Sequence, residues 1–247
     1  MIVLFSDFGL EGPYTGQVKA VLCRHAPDVP VIDLFSDAPA QRPMEAAYLL
    51  AAYAGGSVFP TGSVFLSVVD PGVGGERPAL ALRVDGTWFV GPGNGLFELV
   101  QRRGRQIDSF RIPPATEGVA PSFHGRDLFA PAAARLAAGQ SPGQAGLIPG
   151  DGPRFPDWPD DLPAIVYVDH YGNLMTGISA TRMPQAAAVM INETILPWGR
   201  TFSDVPEGCP FCYENSNGLV EIAVNRGRAD RFFGLEVGAP VEIVPLH

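Results

Sequence analysis

Along the first half of the chain, short unbroken apolar runs alternate with stretches whose apolar positions recur every three to four residues. Parallel strands covered on both faces and amphipathic helices give this alternation. Residues 2–5, 31–34 and 64–69 read as strands. Residues 14–26 read as a helix with Val18, Val21 and Leu22 on one face, and 44–54 as a second, alanine-rich helix. Segments 79–84 and 87–90 flank Asp85 and Gly86, a favoured two-residue turn, and predict a hairpin. A further helix is predicted over 127–138, with Asp127 near its positive end and Gly139 just past its close.

The rhythm then breaks. Residues 141–163 hold six prolines and four glycines, too few backbone donors and too little periodicity for a regular element. They read as a linker. Beyond it come short strands at 164–168, 187–191, 219–224 and 240–244 with turn residues between them. The predicted fold class is therefore α/β. An N-terminal α/β domain with a largely parallel sheet (1–140) is followed by the Pro/Gly-rich linker (141–163) and a smaller C-terminal β-barrel-like domain (164–247).

Composition narrows the function. With 247 residues, 46% of them hydrophobic, the chain can bury a substantial core. A net charge of −9 and scattered basic residues, only Lys19 being a lysine, argue against a nucleic-acid surface, which needs clustered cations to displace counterions. No apolar run approaches the roughly 20 residues that span a bilayer, and the start lacks the features of a signal peptide. A cytoplasmic location is expected, with no membrane and no nucleic acid as partner. Cys23, Cys209 and Cys212 suit a reducing compartment. Cys209 and Cys212 form a CxxC, but one such pair is half a zinc site, and two packed thiols are the plainer reading.

Candidate chemistry concentrates in two stretches, VVDPGVGGERPA over 68–79 and PSFHGRDLFAP over 121–131. Asp70 ends a buried strand, glycines 72, 74 and 75 let the backbone approach a ligand, and Arg77 follows within reach of the carboxylate. His124 supplies an imidazole. Asp7 also follows an apolar strand, and in an open α/β sheet ligands sit beyond the carboxyl ends of the strands. Its carboxylate could take hydrogen bonds from a diol or bond nearby amides. The HGRD run superficially looks like a kinase catalytic loop, yet no DFG follows it. Asp127 reads as a helix cap or first-turn acid, and Arg126 as the partner of a nearby carboxylate.

These stretches, with IVLFSDFG over 2–9, VDHYGNLMTGI over 168–178 and NSNGLVEIAVNRG over 215–227, resemble the S-adenosylmethionine hydrolases, relatives of fluorinase and chlorinase. The resemblance covers nearly the whole chain. It implies hydrolysis of S-adenosyl-L-methionine to adenosine and L-methionine, with Asp70, Arg77 and His124 as catalytic trio and Asp7 holding the ribose diol. By the same resemblance Asp169, Asn173 and Ser216, with Glu221 beside them, contact the amino-acid and adenosine parts, while Asn225 and the backbone around Arg226 face the adenine. It also implies no metal, no cofactor, and a homotrimer with the site between subunits. Gln41 stands where relatives commonly carry an aromatic, and Asn217 where related halogenases carry an arginine.

Three rival readings carry different chemistry. A halide could replace water, but a carboxylate ~4 Å away would oppose it by ~4 kcal/mol at an effective dielectric of 20, less what Arg77 cancels. A metal-dependent phosphohydrolase could use Asp7, Asp70, His124, Asp169 and His170, although no tight ligand motif is present. A protein that binds S-adenosylmethionine or adenosine without turnover is the third. Arginine is effectively always protonated, so in the hydrolase reading His124 or Asp70 takes the proton, directly or through solvent.

Overall fold

Strand β1 (Ile2–Ser6) is buried at all five positions because it runs inside a seven-stranded sheet, with parallel neighbours on both sides. The computed structural model describes residues 1–55, 57–114, 118–184 and 186–245. Contacts divide it into two compact units. One holds Met1–Leu50 with Ser57–Pro156, and the other the last turn of the second helix with everything described from Asp157 onward.

In the first unit, helix α1 (Tyr14–His25) follows β1, and strand β2 (Val31–Phe35) and helix α2 (Pro43–Ala54) come next. Then follow β3 (Val64–Val68), the β4 (Ala79–Val84) and β5 (Thr87–Pro92) hairpin, α3 (Glu98–Arg103) and β6 (Ile107–Arg111). Helix α4 (Ala130–Ala137) and the short β7 (Ile148–Pro149) complete it. The sheet order is β2-β1-β3-β5-β4-β6-β7. Pairing is parallel from β2 to β5 and antiparallel from β5 to β7. The predicted turn is present: Asp85 and Gly86 both take positive φ (47° and 88°), as a twist-matched hairpin requires.

The spacing of Val18, Val21 and Leu22 does what it predicts. These side chains pack with Ile2, Leu4, Val64, Leu66 and Val68 of the sheet and with Phe129, Ala130 and Ala133 into one core cluster. Each large aliphatic side chain so buried contributes about 1.5–3 kcal/mol. No helix among the described residues is long and apolar enough to cross a membrane.

Two expectations change. The helix predicted over 127–138 opens with a π-helical turn, Gly125–Phe129, and becomes α-helical only at Ala130. Pro131 has no N–H to offer the Asp127 carbonyl, and the backbone widens so that the Ala130 N–H bonds Gly125 O. Asp127 is a first-turn acid of this element, one of its two predicted readings, and not its cap. Its carboxylate accepts from Arg126 Nε (2.6 Å), Arg126 Nη2 (2.8 Å) and the Ala120 N–H (2.9 Å). The Pro/Gly-rich stretch also has regular structure, since β7 pairs with β6 at the sheet edge and Arg154 bonds the buried Glu98 carboxylate at 2.9 and 3.0 Å.

In the second unit the regular structure of the described residues is mostly strand. Strands β8 (Leu162–Val168), β9 (Leu174–Ser179), β12 (Pro210–Glu214) and β13 (Leu219–Val224) form an antiparallel sheet in the order β12-β13-β9-β8. A second antiparallel sheet joins β10 (Ala187–Ile191), β11 (Thr194–Ile195) and β14 (Glu242–Pro245). One short helix, α5 (Ala229–Phe233), packs against the core built from Ile165, Leu174, Val189, Ile222 and Val224.

Candidate active site

Register alone brings the first two acids together. Ser6 of β1 pairs with Val68 of β3, and the Asp7 N–H donates to Val68 O, so Asp7 and Asp70 leave adjacent strands at the carboxyl edge. Asn94 braces this edge by donating its side-chain amide to Val69 O at 2.9 Å. Asp7 Oδ2 accepts the Gln41 backbone N–H at 2.9 Å, with Gln41 in the left-handed region (φ 59°). Burial pushes the Asp7 carboxyl above its usual range, and the neighbouring Asp70 adds to this against the Gln41 bond.

Asp70, Arg77 and His124 form a continuous hydrogen-bonded trio. Arg77 Nε lies 3.0 Å from both Asp70 oxygens, and Arg77 Nη2 also bonds Asp70 Oδ2. The pair is almost dry, with 4% of the Asp70 side chain and 11% of the Arg77 side chain exposed. Arg77 Nη2 also stands 3.1 Å from His124 Nδ1. A guanidinium can only donate, so Nδ1 is the acceptor and the neutral ring carries its hydrogen on Nε2. Burial, and then the Arg77 charge, hold the His124 pKa below the ordinary 6.5, which keeps that ring neutral. Phe129 backs the trio, with Arg77 5.1 Å above its ring and His124 edge-on to it.

These groups open onto a cavity of about 500 Å³ lined by Asp7, Asp70, His124, Gln41 and the aromatic side chains Phe8, Tyr14 and Phe123. The three aromatics meet edge to face or tilted, 5.6 to 6.5 Å apart. Phe8 and Phe123 lie within the motifs that carry the acids and the imidazole. Tyr14 begins α1, and nothing in its sequence context sets it apart.

The second unit has its own cavity of about 570 Å³, lined by Asp169, Asn173, Ser216, Glu221 and Arg226 among others. Asp169 holds the β8–β9 turn by accepting the Asn173 N–H at 2.8 Å and its side-chain amide at 2.9 Å. Glu221, 3% exposed, accepts from Tyr213 Oη and from Asn215 Nδ2. Burial pushes both the Glu221 carboxyl and the Tyr213 hydroxyl up. Asn217 donates to Ser216 Oγ at 3.2 Å. Arg226 takes positive φ (56°) and pairs with Glu207. Asn225 is placed differently: its amide donates to Val205 O at 2.8 Å and it does not line the cavity. Tyr53, Met175, Phe202 and Tyr213 line the cavity too; sequence reading passed over them because each fits an ordinary helix or core position.

Among the described residues no three His, Cys, Asp or Glu side chains are grouped to hold a metal ion. Of the CxxC, Cys212 is buried, bonds Pro197 O and has its thiol pKa pushed up to about 12, so it is an inert packed thiol.

Residues 2–146 match the SAM hydroxide adenosyltransferase N-terminal domain, and residues 163–242 match the C-terminal domain of the same family. A (R)-S-adenosyl-L-methionine hydrolase of Thermus thermophilus is 41% identical, the match covering 98% of this chain and 99% of that protein. Another, from Salinispora arenicola, is 33% identical over 96% of this chain and 95% of its own. A fluorinase of Nocardia brasiliensis is 24% identical over 98% and 96%. Among solved structures, an uncharacterized conserved protein from Thermotoga maritima superposes with a TM-score of 0.84 at 27% identity, covering 98% of this chain and 99% of that one.

Proposed function

The chain belongs to the SAM hydroxide adenosyltransferase family, and from that premise we propose that it hydrolyses S-adenosyl-L-methionine to adenosine and L-methionine. The observation that carries the reading is the hydrogen-bonded trio Asp70, Arg77 and His124, of which Asp70 and His124 share one cavity with the Asp7 carboxylate.

The leaving sulfonium departs as a neutral thioether, so the reaction needs no general acid. It needs an oxygen nucleophile in line with the C5′–S bond, and holding the two in line supplies about 7 kcal/mol or more. Asp7 accepts the ribose hydroxyls and fixes C5′. The His124 Nε2–H and the Arg77 guanidinium are donors, and they hold a water oxygen and stabilise it as it gains hydroxide character. Asp70 orients Arg77 through both its oxygens. Asp169, Asn173, Ser216 and Glu221 offer the amino-acid part acceptors and donors in their own cavity, and the backbone around Arg226 offers adenine contacts.

This reading takes no metal or cofactor, and it carries with it a cytoplasmic homotrimer in which a first domain serves with the second domain of a neighbouring subunit. Sedimentation of the purified protein reads the assembly.

The test is incubation with S-adenosylmethionine in chloride-free buffer, with and without chelator and added chloride, followed by chromatography. Adenosine and methionine in equal amounts, indifferent to chelator and free of chlorinated nucleoside, support the hydrolase. Binding without turnover under every condition overturns it.

A further inference from the structure

The trio borders a second cavity that the reaction as described does not use. It measures about 460 Å³, lies within the first unit, and is lined by Glu76, Arg77, Arg111, His124, Leu128 and Ile148 among others. His124 lines both cavities, while Asp70 belongs to the first and Arg77 to the second. The trio therefore stands between the two spaces.

Charge balance gives that position a consequence. Attack of water on C5′ forms a C5′–O bond and breaks C5′–S with its electron pair going to sulfur. A cationic substrate and neutral water become two neutral products, so an O–H bond must break and one proton must leave in each turnover. The trio is poorly placed to keep it. His124 Nδ1 already accepts from Arg77 and Nε2 carries the ring hydrogen, while both Asp70 oxygens are engaged by Arg77, so a proton left on either group would disturb the bonds that hold the trio together. In the first cavity the Asp7 carboxylate is committed to the ribose hydroxyls, and the sulfonium opposes a proton there by like charge.

We propose that the second cavity holds the solvent that takes this proton from the nucleophile and passes it, by way of the exposed Glu76 carboxylate, to bulk water. Arg111 does not block the route, since its Nε and Nη2 are both turned onto Asp151 O at 3.0 and 2.8 Å. The inference rests on the hydrolase reading, and its variants lie outside the trio so that the two can fail separately.

The experiment measures the single-turnover rate of adenosine formation at saturating S-adenosylmethionine, with adenosine affinity and thermal melting as controls. Ile148→Trp and Ala79→Leu narrow the cavity from two sides. Each is expected to slow the chemical step about tenfold with adenosine affinity unchanged, in keeping with a lost proton-transfer path. Glu76→Gln, a surface change that leaves folding intact, is expected to lower the rate several-fold and to regain it as the concentration of a small diffusible buffer base is raised. Folded filling variants that turn over at the parent rate, or a Glu76→Gln enzyme at parent rate and blind to buffer, overturn the route. Full turnover by His124→Ala would instead remove the trio assignment, and the route with it.

Discussion

Gly74 lies against Pro121 so closely that a Cβ on the glycine would stand 2.8 Å from the Pro121 carbonyl oxygen. This contact joins the loop carrying Asp70 and Arg77 to the loop carrying His124. Gly125 repeats the device against the first motif, where an added Cβ would meet Phe8 Cζ at 2.8 Å. Three stretches far apart in sequence are thus locked at glycines, and the active-site geometry depends on those approaches.

Gly74→Ala meets both a left-handed backbone (φ 80°) and a carbonyl that cannot swing aside. The expected cost is about 1–3 kcal/mol of stability, read by denaturant unfolding. Activity should fall further than this alone implies, because the two loops must separate. A variant as stable and as active as the parent refutes the lock.

His124→Ala removes a donor to the nucleophile while leaving Asp7 and the aromatic wall in place. Turnover should fall about 100-fold or more with adenosine affinity little changed. Steady-state kinetics beside calorimetric titration of adenosine separates the two, and equal losses in both would end the role assigned to this residue.

The pH profile follows from the direction of the His124 shift. Burial and Arg77 favour the neutral ring, so it charges only at a pH below the ordinary 6.5. Protonation places a hydrogen on Nδ1, facing the Arg77 donor, and breaks the trio. The acid limb of kcat/KM, which reports the free enzyme, should therefore have its midpoint below 6.5, and a midpoint at or above that value contradicts the geometry.

Arg77→Ala leaves Asp70 buried without its partner. Removing one member of a buried ion pair costs about 3–5 kcal/mol, so this variant should melt well below the parent and lose turnover. Asp70→Asn, whose amide oxygen can still accept from Arg77, should melt closer to the parent yet remain slow. Calorimetry of the two variants side by side checks the order.

Asp7→Ala should weaken adenosine binding by about 1.5–3 kcal/mol, the range for hydrogen bonds to a charged group. Titration of adenosine against the variant measures it. Parent-like affinity would leave Asp7 as a loop residue serving only Gln41.

Much of this is legible in the sequence. Unbroken apolar runs at β1 and β3 announced buried strands, and the residues just after them announced acids at one sheet edge. Asp70 and Arg77 are near in sequence, and their pairing could be foreseen from reach alone. Other features resisted. Strand β6 is exposed or half-buried at every position and has little apolar signal to read. β7 is a two-residue edge strand among prolines. The π-helical turn follows from one missing N–H at Pro131, which the helical periodicity does not register.

By itself the sequence determined the class of fold, the two regimes of secondary structure and the residue types available for chemistry, because these depend on local patterns of burial and on backbone freedom at glycine and proline. It left open which nitrogen of His124 carries the hydrogen, where Asp127 and Asn225 spend their side chains, and that a second cavity reaches the trio. Those are decided by contacts between segments tens of residues apart, where a donor shifted by an ångström finds a different acceptor. Only the packed chain sets such distances.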